Sequence, residues 1–340
     1  QLWIAAAGLG WPQEVIMSDS QVSILDGNTF VVSDRCGDID PSPTDPTGLF
    51  AWDTRFLSKW VLTVDGSRLS SLSTDDLQYF QTRFFLVSGT GTVYVDAKLS
   101  VIRTRSVGGG FQEQITLINH GEEPVELRMR IDVDADFADL FEVKDALTKQ
   151  GTYSRGVEDG RLVLGYRREE FHRETVIFAS READVDEHGL AFAMRIEPKS
   201  EWTVDIEVVT TVVAGGERLD HTKYRAGNRH ARPNMEKDLE SWVGDAPTLE
   251  CDWDPLERTY TRSLVDLAAL RFSPLSAGGR SLPAAGLPWF MTMFGRDSIF
   301  TSLQALPFTP ELAATTLREL GVRQGARVDD FRDEDPGRIP

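Results

Sequence analysis

Cysteine is scarce. The 340-residue chain has two, Cys36 and Cys251, far apart in sequence. They build neither a disulfide framework nor a CxxC metal site, and they suit a reducing compartment. Basic residues are also short: 36 Lys and Arg stand against 54 Asp and Glu, a net charge of −18. An acid excess of that size opposes phosphate backbones and anionic membranes, so neither nucleic acid nor a membrane is an expected partner. No uninterrupted apolar run approaches the roughly 18 residues of a spanning helix. The five histidines (His120, His172, His188, His221, His230) form no HExxH and no close pair, so no metal is expected. No GxSxG elbow occurs, and Ser106-Val107-Gly108-Gly109-Gly110 lacks the Lys-Ser/Thr of a phosphate loop. No cofactor is implied. A soluble, cytoplasmic protein is the expectation.

What is present supports a large core, with 18 Phe and 8 Trp. The length suggests about two domains. Both ends read as cut. Gln1 opens a short apolar stretch with no basic residue before it, and Met17 precedes the first strand-like run, Val22 to Leu25. Residues 1–16 are therefore expected to be a leader or a non-native start. Asp329 to Pro340 is polar and closes no domain. Its carboxylates Asp329, Asp330, Asp333, Glu334 and Asp335 read as a solvated charge run.

The first two-thirds read as strands. Val125, Leu127, Met129, Ile131, Val133 and Ala135 alternate with Glu126, Arg128, Arg130, Asp132, Asp134 and Asp136. That period of two gives one apolar and one charged face. Trp202, Val204, Ile206 and Val208 repeat it, and Val209 to Val213 carries no charge, as a central, covered strand does. Further expected strands are Thr29–Ser33, Lys59–Val64, Thr92–Val95, Leu99–Thr104, Gln114–Ile118, Leu162–Tyr166, Thr175–Ala179 and Ala191–Ile196. Asp65-Gly66, Asn119-His120-Gly121-Glu122, Glu158-Asp159-Gly160 and His188-Gly189 supply turn chemistry between them. Many short strands with frequent turns predict a mostly β, antiparallel β-sandwich. It is expected to end near Val213, before Ala214-Gly215-Gly216.

After about Glu217 the period becomes helical. Met235 to Val243 is a modest segment. Asp254 is read as an N-cap, with Pro255 in the first turn and Glu257 at capping-box spacing. Asp297 to Leu306 forms the next expected helix. A third runs from Thr309-Pro310-Glu311 to Leu320-Gly321. The short Pro307-Phe308 link makes a helical hairpin of the last two. Three helices are too few for an ordinary domain, so a longer helical domain is expected.

The segment Gly286-Leu287-Pro288-Trp289-Phe290-Met291-Thr292-Met293-Phe294-Gly295-Arg296-Asp297-Ser298 packs aromatics around one Arg-Asp pair. Aromatic walls with charged hydrogen-bonding groups suit sugars. Trp289 and Phe294 are candidate walls. Arg296 has five donors and Asp297 only acceptors, so together they can hold two neighbouring hydroxyls. The plainer alternative makes Asp297 or Ser298 an N-cap and the aromatics core. Gly37-Asp38-Ile39-Asp40 and Gly48 to Leu57 form a second segment. There Asp53 and Arg55 face one side, either toward a partner domain or as an ion pair ordering a turn. Asp132, Asp134, Asp136 and Asp139 are numerous enough for calcium, but alternate strand positions do not converge, and a solvated face is expected.

Several stretches carry a family resemblance. Gly27-Asn28-Thr29-Phe30-Val31-Val32-Ser33-Asp34, Gly37-Asp38-Ile39, and Gly48-Leu49-Phe50 with Asp53-Thr54-Arg55-Phe56-Leu57 resemble the N-terminal domain of bacterial glycogen debranching, amylo-alpha-1,6-glucosidase-like proteins. Ala135-Asp136-Phe137-Ala138-Asp139-Leu140-Phe141-Glu142-Val143 is similar to a second stretch of that domain. Gly286 to Phe290 and Phe294 to Ser298 resemble the opening of a six-hairpin (α/α)6 glycosidase barrel.

The resemblance implies a sandwich packed on an (α/α)6 toroid that hydrolyses α-glucosidic bonds with inversion. Its boundaries would be 1–16 leader, 17–215 sandwich, 216–250 helical linker and 251–340 the start of the glycosidase domain. The implied partner is an α-glucan or oligosaccharide. Arg296 and Asp297 would hold hydroxyls in the −1 subsite, with Trp289 and Phe294 as walls. Inversion needs two carboxylates about 6.5–9.5 Å apart. The resemblance puts both on later hairpins, beyond Pro340, so the catalytic acid and base are unassigned here and this piece alone is expected to be inactive. Asp297 as general acid stands as a second assignment. Two alternatives remain open: another six-hairpin glycosidase, of mannosylglycerate or trehalose type, and a non-catalytic carbohydrate-binding module.

Overall fold

A computed structural model describes residues 21–40, 46–88, 98–108, 110–214, 217–220, 235–274, 277, 280–330 and 334–339. Residues 1–16, Met17, the expected strand Thr92–Val95, His221, His230 and Asp333 lie outside the described residues.

The chain opens with β1 (Gln21–Asp26), β2 (Thr29–Asp34), β3 (Gly48–Ala51) and β4 (Thr54–Leu57), a four-stranded antiparallel sheet in that order. Next come β5 (Lys59–Val64), β6 (Ser67–Gln78), β7 (Gln81–Ser88), β8 (Leu99–Val107), β9 (Phe111–Asn119) and β10 (Val125–Asp134). A one-turn helix, α1 (Leu140–Lys144), interrupts them. The remaining sandwich strands are β11 (Thr152–Glu158), β12 (Arg161–Arg168), β13 (Phe171–Ala179), β14 (Asp184–Asp186), β15 (Gly189–Ile196), β16 (Glu201–Ala214) and β17 (Glu217–Asp220).

From β5 on, the strands pair in the order β11-β12-β13-β16-β9-β8-β7-β6-β5-β10-β15-β14, with β17 added to β16. Every pairing is antiparallel. The β5–β6 contact spans only Thr63↔Arg68 and Val64↔Ser67, so the sheet folds into two layers there. Across the layers Trp60 meets Phe111 edge-on at 5.4 Å and Phe192 meets Trp202 at 5.7 Å. The far ends also approach, since Arg155 of β11 donates to the carbonyl of Glu187, between β14 and β15 (2.9 Å). The result is a sandwich nearly closed on itself.

Period-two patterning explains most of this. Met129, Ile131 and Val133 of β10 are buried while their charged neighbours are not. Asp65-Gly66 and Asp159-Gly160 make two-residue hairpin turns with positive φ at both positions. β16 is central, bonded to β9 over its first half and β13 over its second. Strand pairing continues past residue 215, through β17 to Asp220.

One departure from apolar filling lies in the interior. Arg103 and Arg105 of β8 and Glu113 of β9 occupy inward positions and are fully buried. Glu113 accepts from Trp60 Nε1 (2.7 Å), Arg103 Nη2 (3.0 Å) and Arg105 Nη2 (2.7 Å), and Arg103 also donates to Asp38 (2.6 Å). The Arg105 guanidinium lies 5.3 Å from the Phe84 ring and 5.1 Å from that of Phe111. Burial alone would raise the Glu113 carboxyl; the two guanidiniums outweigh it and hold it below the usual range.

The last third holds α2 (Met235–Asp245), α3 (Asp254–Ala269), the strand pair β18 (Arg271–Phe272) and β19 (Leu282–Pro283), α4 (Gly295–Ala305) and α5 (Pro310–Val322). α4 and α5 form the expected hairpin, tied by a buried Ser302–Thr316 hydroxyl contact of 2.9 Å. The described residues hold five helices in all and form no toroid. No helix among them is long and apolar enough to cross a membrane.

Several expected boundaries move. β10 stops at Asp134 rather than Asp136, because Phe137 adopts φ +51° and the chain turns toward α1. Trp253, not Asp254, holds the N-cap position of α3, and Glu257 instead accepts from the Cys251 amide (2.9 Å). α4 begins at Gly295, so Asp297 and Ser298 are not caps; the Ser298 hydroxyl bonds the Pro283 carbonyl (2.8 Å). Thr309 holds the N-cap position of α5 without a side-chain cap, and the helix passes through Gly321 to Val322. The acidic residues near β10 are not a bare solvated face. Asp132 pairs with Arg130, Asp134 with Arg155 and Asp136 with Arg55.

Candidate functional site

The segments singled out by sequence meet at one junction. A second apolar cluster forms there from Leu25, Phe30, Val32 and Phe50 of the small sheet, Leu140 and Val143 of α1, Ala269 of α3, and Ala284 and Met291. Asn28 ties the same edge to the helical part, exchanging hydrogen bonds with the backbone of Ser273 (2.8 and 3.0 Å).

The β3–β4 hairpin turns through Trp52 and Asp53, at φ +45° and +61°. A tight hairpin demands such angles, which aspartate tolerates better than most residues and tryptophan rarely adopts. This turn separates Asp53 from Arg55. The expected Asp53–Arg55 pair does not form. Arg55 is buried and grips Asp136 with two nitrogens, Nε at 3.0 Å and Nη2, while Nη1 donates to the Thr47 carbonyl (3.2 Å). Gly48 lies against this arginine, and a Cβ there would come within 2.6 Å of Arg55 Cδ.

Asp53 instead faces the helical part, where the Thr292 side chain lies close enough to its carboxyl to favour the charged form. Its backbone carbonyl accepts from Leu140 N (3.1 Å), the first residue of α1. Asp139 caps that turn through Phe141 N (3.0 Å) and Glu142 N (2.8 Å), and Glu142 returns a bond to Asp139 N (2.8 Å). Asp53 remains open to solvent on one side. Packing on its other side raises its carboxyl, the Asp139 charge raises it further, and the neighbouring Thr292 side chain partly offsets both, leaving it at about 6.

The loop before α4 closes on itself through Gly286 and Phe290, which exchange backbone bonds of 3.0 and 2.9 Å. Phe290 packs edge-on to Phe294 at 5.4 Å, and Lys144 of α1 lies 5.9 Å from the Phe290 ring centre. Trp289 is half-buried against the junction cluster, and its buried Nε1 has no hydrogen-bond partner among the described residues. Phe294 is half-buried at the N-cap of α4. Arg296 and Asp297 then project from the first turn, 82 % and 40 % exposed, with a loose contact of 3.9 Å.

The arrangement thus holds two charged hydrogen-bonding groups at the end of a braced aromatic loop. Sequence reasoning singled out Arg296, Asp297, Trp289 and Phe294, and the structure places them along one loop and the start of α4. It singled out neither Lys144 nor the packing of Asp53 beside Thr292. Among the described residues, no group of three His, Cys, Asp or Glu is placed to hold a metal.

Residues 24–207, more than half of the chain, match the family described as the N-terminal domain of some glycogen debranching enzymes. No curated protein sequence gives a significant match. Among solved structures, a candidate kojibiose phosphorylase from human microbiome is similar over 73 % of this chain and 39 % of its own, at 10 % identity and a TM-score of 0.49. The chain therefore spans well under half the length of that protein. A candidate aldose 1-epimerase from Escherichia coli K12 is similar over 57 % of this chain and 99 % of its own, at 8 % identity and a TM-score of 0.35. A galactose mutarotase-like protein from Clostridium acetobutylicum covers 58 % and 97 %, at 7 % identity and a TM-score of 0.31.

Proposed function

The chain belongs to the family of N-terminal domains of some glycogen debranching enzymes, and from that premise we propose that it forms the sugar-holding part of an enzyme that hydrolyses α-glucosidic bonds in branched α-glucans. The observation that carries the reading is the Arg296–Asp297 pair, exposed and only loosely engaged, at the end of a loop whose Met291 and Trp289 pack into the junction cluster beside the sandwich. Arg296 donates to, and Asp297 accepts from, neighbouring hydroxyls of the sugar in the −1 subsite. Phe294, supported edge-on by Phe290, offers an apolar wall, and Trp289 backs the loop from the junction cluster.

In this reading α3, α4 and α5 begin an (α/α)6 toroid. Phe300 and Leu303 of α4, Leu306 at its end and Leu317 of α5 are exposed, an apolar face suited to further helices. Hydrolysis with inversion needs a general acid and a general base about 6.5–9.5 Å apart, with water between base and sugar. The proposal gives neither role to a described residue. Its contribution is orientation and the exclusion of water.

The test is glucose release. The 340-residue chain is expected to retain an α-1,6-branched dextrin on an affinity gel without freeing glucose from it. Turnover by this chain alone contradicts the division of labour, and failure to retain the dextrin contradicts the sugar-holding role.

A further inference from the structure

A cavity of about 470 Å³ lies between α2 and α5, away from the junction loop. That size falls within the roughly 300–1,000 Å³ of small-ligand pockets. Trp242 of α2 forms one wall. Arg280 and Ser281 come from the segment just before β19, and Glu311, Thr315 and Arg318 from α5. The spacing of those last three places them along one helix face.

The Trp242 wall is fixed in place. Its Nε1 donates to the Leu264 carbonyl (3.0 Å), and the Arg271 guanidinium stands 4.4 Å from its ring centre. The two lining arginines are not spent on ion pairs. Arg280 donates from Nε only to the Ala277 carbonyl (3.3 Å), and neither Arg280 nor Arg318 meets a carboxylate among the described residues. Two such guanidiniums facing one cavity are unexpected in a chain of net charge −18.

The chemistry of the lining is two-ended. Guanidinium forks match phosphate oxygens in pairs, and two of them balance the charge of about −1.5 to −2 on a phosphate monoester. A carboxylate would leave one guanidinium uncompensated. Glu311 opposes a bare anion but accepts hydrogen bonds from hydroxyls, which Ser281 and Thr315 also exchange. The indole offers an apolar wall to a pyranose ring. We propose that this cavity binds a phosphorylated pyranose, with the phosphate on Arg280 and Arg318 and the ring against Trp242. The proposal stands apart from the reading of Arg296 and Asp297.

Isothermal titration of the full chain with glucose 6-phosphate tests it, beside glucose, glucuronate and inorganic phosphate. Saturable binding of glucose 6-phosphate is expected, with each of the other three about tenfold weaker or more. Arg318→Ala, on an exposed helix position where alanine favours the fold, is expected to weaken binding about tenfold or more. Trp242→Phe is expected to weaken it less, and Asp297→Asn to leave it unchanged. No saturable binding overturns the proposal, as does equal affinity for glucose, glucuronate or phosphate. It also fails if binding is insensitive to Arg318→Ala, or if it is lost in Asp297→Asn, which would place the probe in the junction site.

Discussion

The Asp53 carboxyl lies beside the Thr292 side chain, bringing a hairpin turn of the sandwich against the loop that precedes Arg296 and Asp297. Asp53 reaches it from the left-handed region, at φ +61°, which aspartate enters more readily than most residues but still uncommonly. Strain of this kind persists only where the surroundings enforce it. Here the enforcing contacts are the Leu140 amide on the Asp53 carbonyl and the half-buried Arg55–Asp136 pair two residues on.

The Asp53 carboxyl gives the first prediction. Its folded value of about 6 exceeds the roughly 3.9 of an unfolded aspartate. The fold therefore binds this proton more tightly. The resulting stability is fully present below about pH 4 and is lost as pH rises through about 6. Asp53→Asn removes this dependence. Melting temperatures between pH 4 and 7 are expected to slope downward more in the wild type than in the variant, and superimposable slopes would contradict the assignment.

Arg55 holds Asp136 with two nitrogens from a buried position. Arg55→Ala is expected to lower unfolding free energy by about 2–3 kcal/mol, because it strands partly buried acceptors. Lysine cannot reproduce the fork, so Arg55→Lys restores less than half of the loss. Urea midpoints of the three proteins decide this, and full rescue by lysine would show that charge alone matters.

Glu113 is the shared acceptor of two fully buried arginines. Glu113→Gln leaves two cations with Asp38 as their remaining carboxylate, a loss of about 3–5 kcal/mol. A midpoint shift under about 1 kcal/mol would mean that water or a rearranged Asp38 compensates.

Asp139 caps α1 at two amides. Asp139→Ala is expected to cost about 1 kcal/mol. The same change removes the like charge beside Asp53, so the Asp53 titration should move down in a carboxyl-carbon NMR titration. An unmoved Asp53 would refute their coupling.

Much of the sandwich was legible because burial enforces a period of two. Lys59–Val64 forms as expected, and Val125 onward does so up to Asp134. β6 was not legible: Ser67–Gln78 is serine-rich and mostly exposed, so no alternation marks it. The buried arginines left a trace that could have been read, since Val101, Arg103, Arg105 and Val107 share one strand face. Arg296 and Asp297 were visible as chemistry in an aromatic loop. The junction was not visible. Arg55 has a carboxylate two residues away in sequence, yet the hairpin turn sends it to Asp136 and leaves Asp53 facing the loop before α4. Local spacing carries no information about which of several distant partners a turn selects.

The central claim is that Arg296 and Asp297 hold a sugar. Isothermal titration of the 340-residue chain and its Asp297→Asn variant with an α-1,6-branched maltodextrin tests it most directly. Asparagine keeps the size of the side chain and removes its charge and one acceptor. The account predicts about tenfold or greater loss of affinity with an unchanged melting temperature. Equal affinity in the two proteins would contradict it.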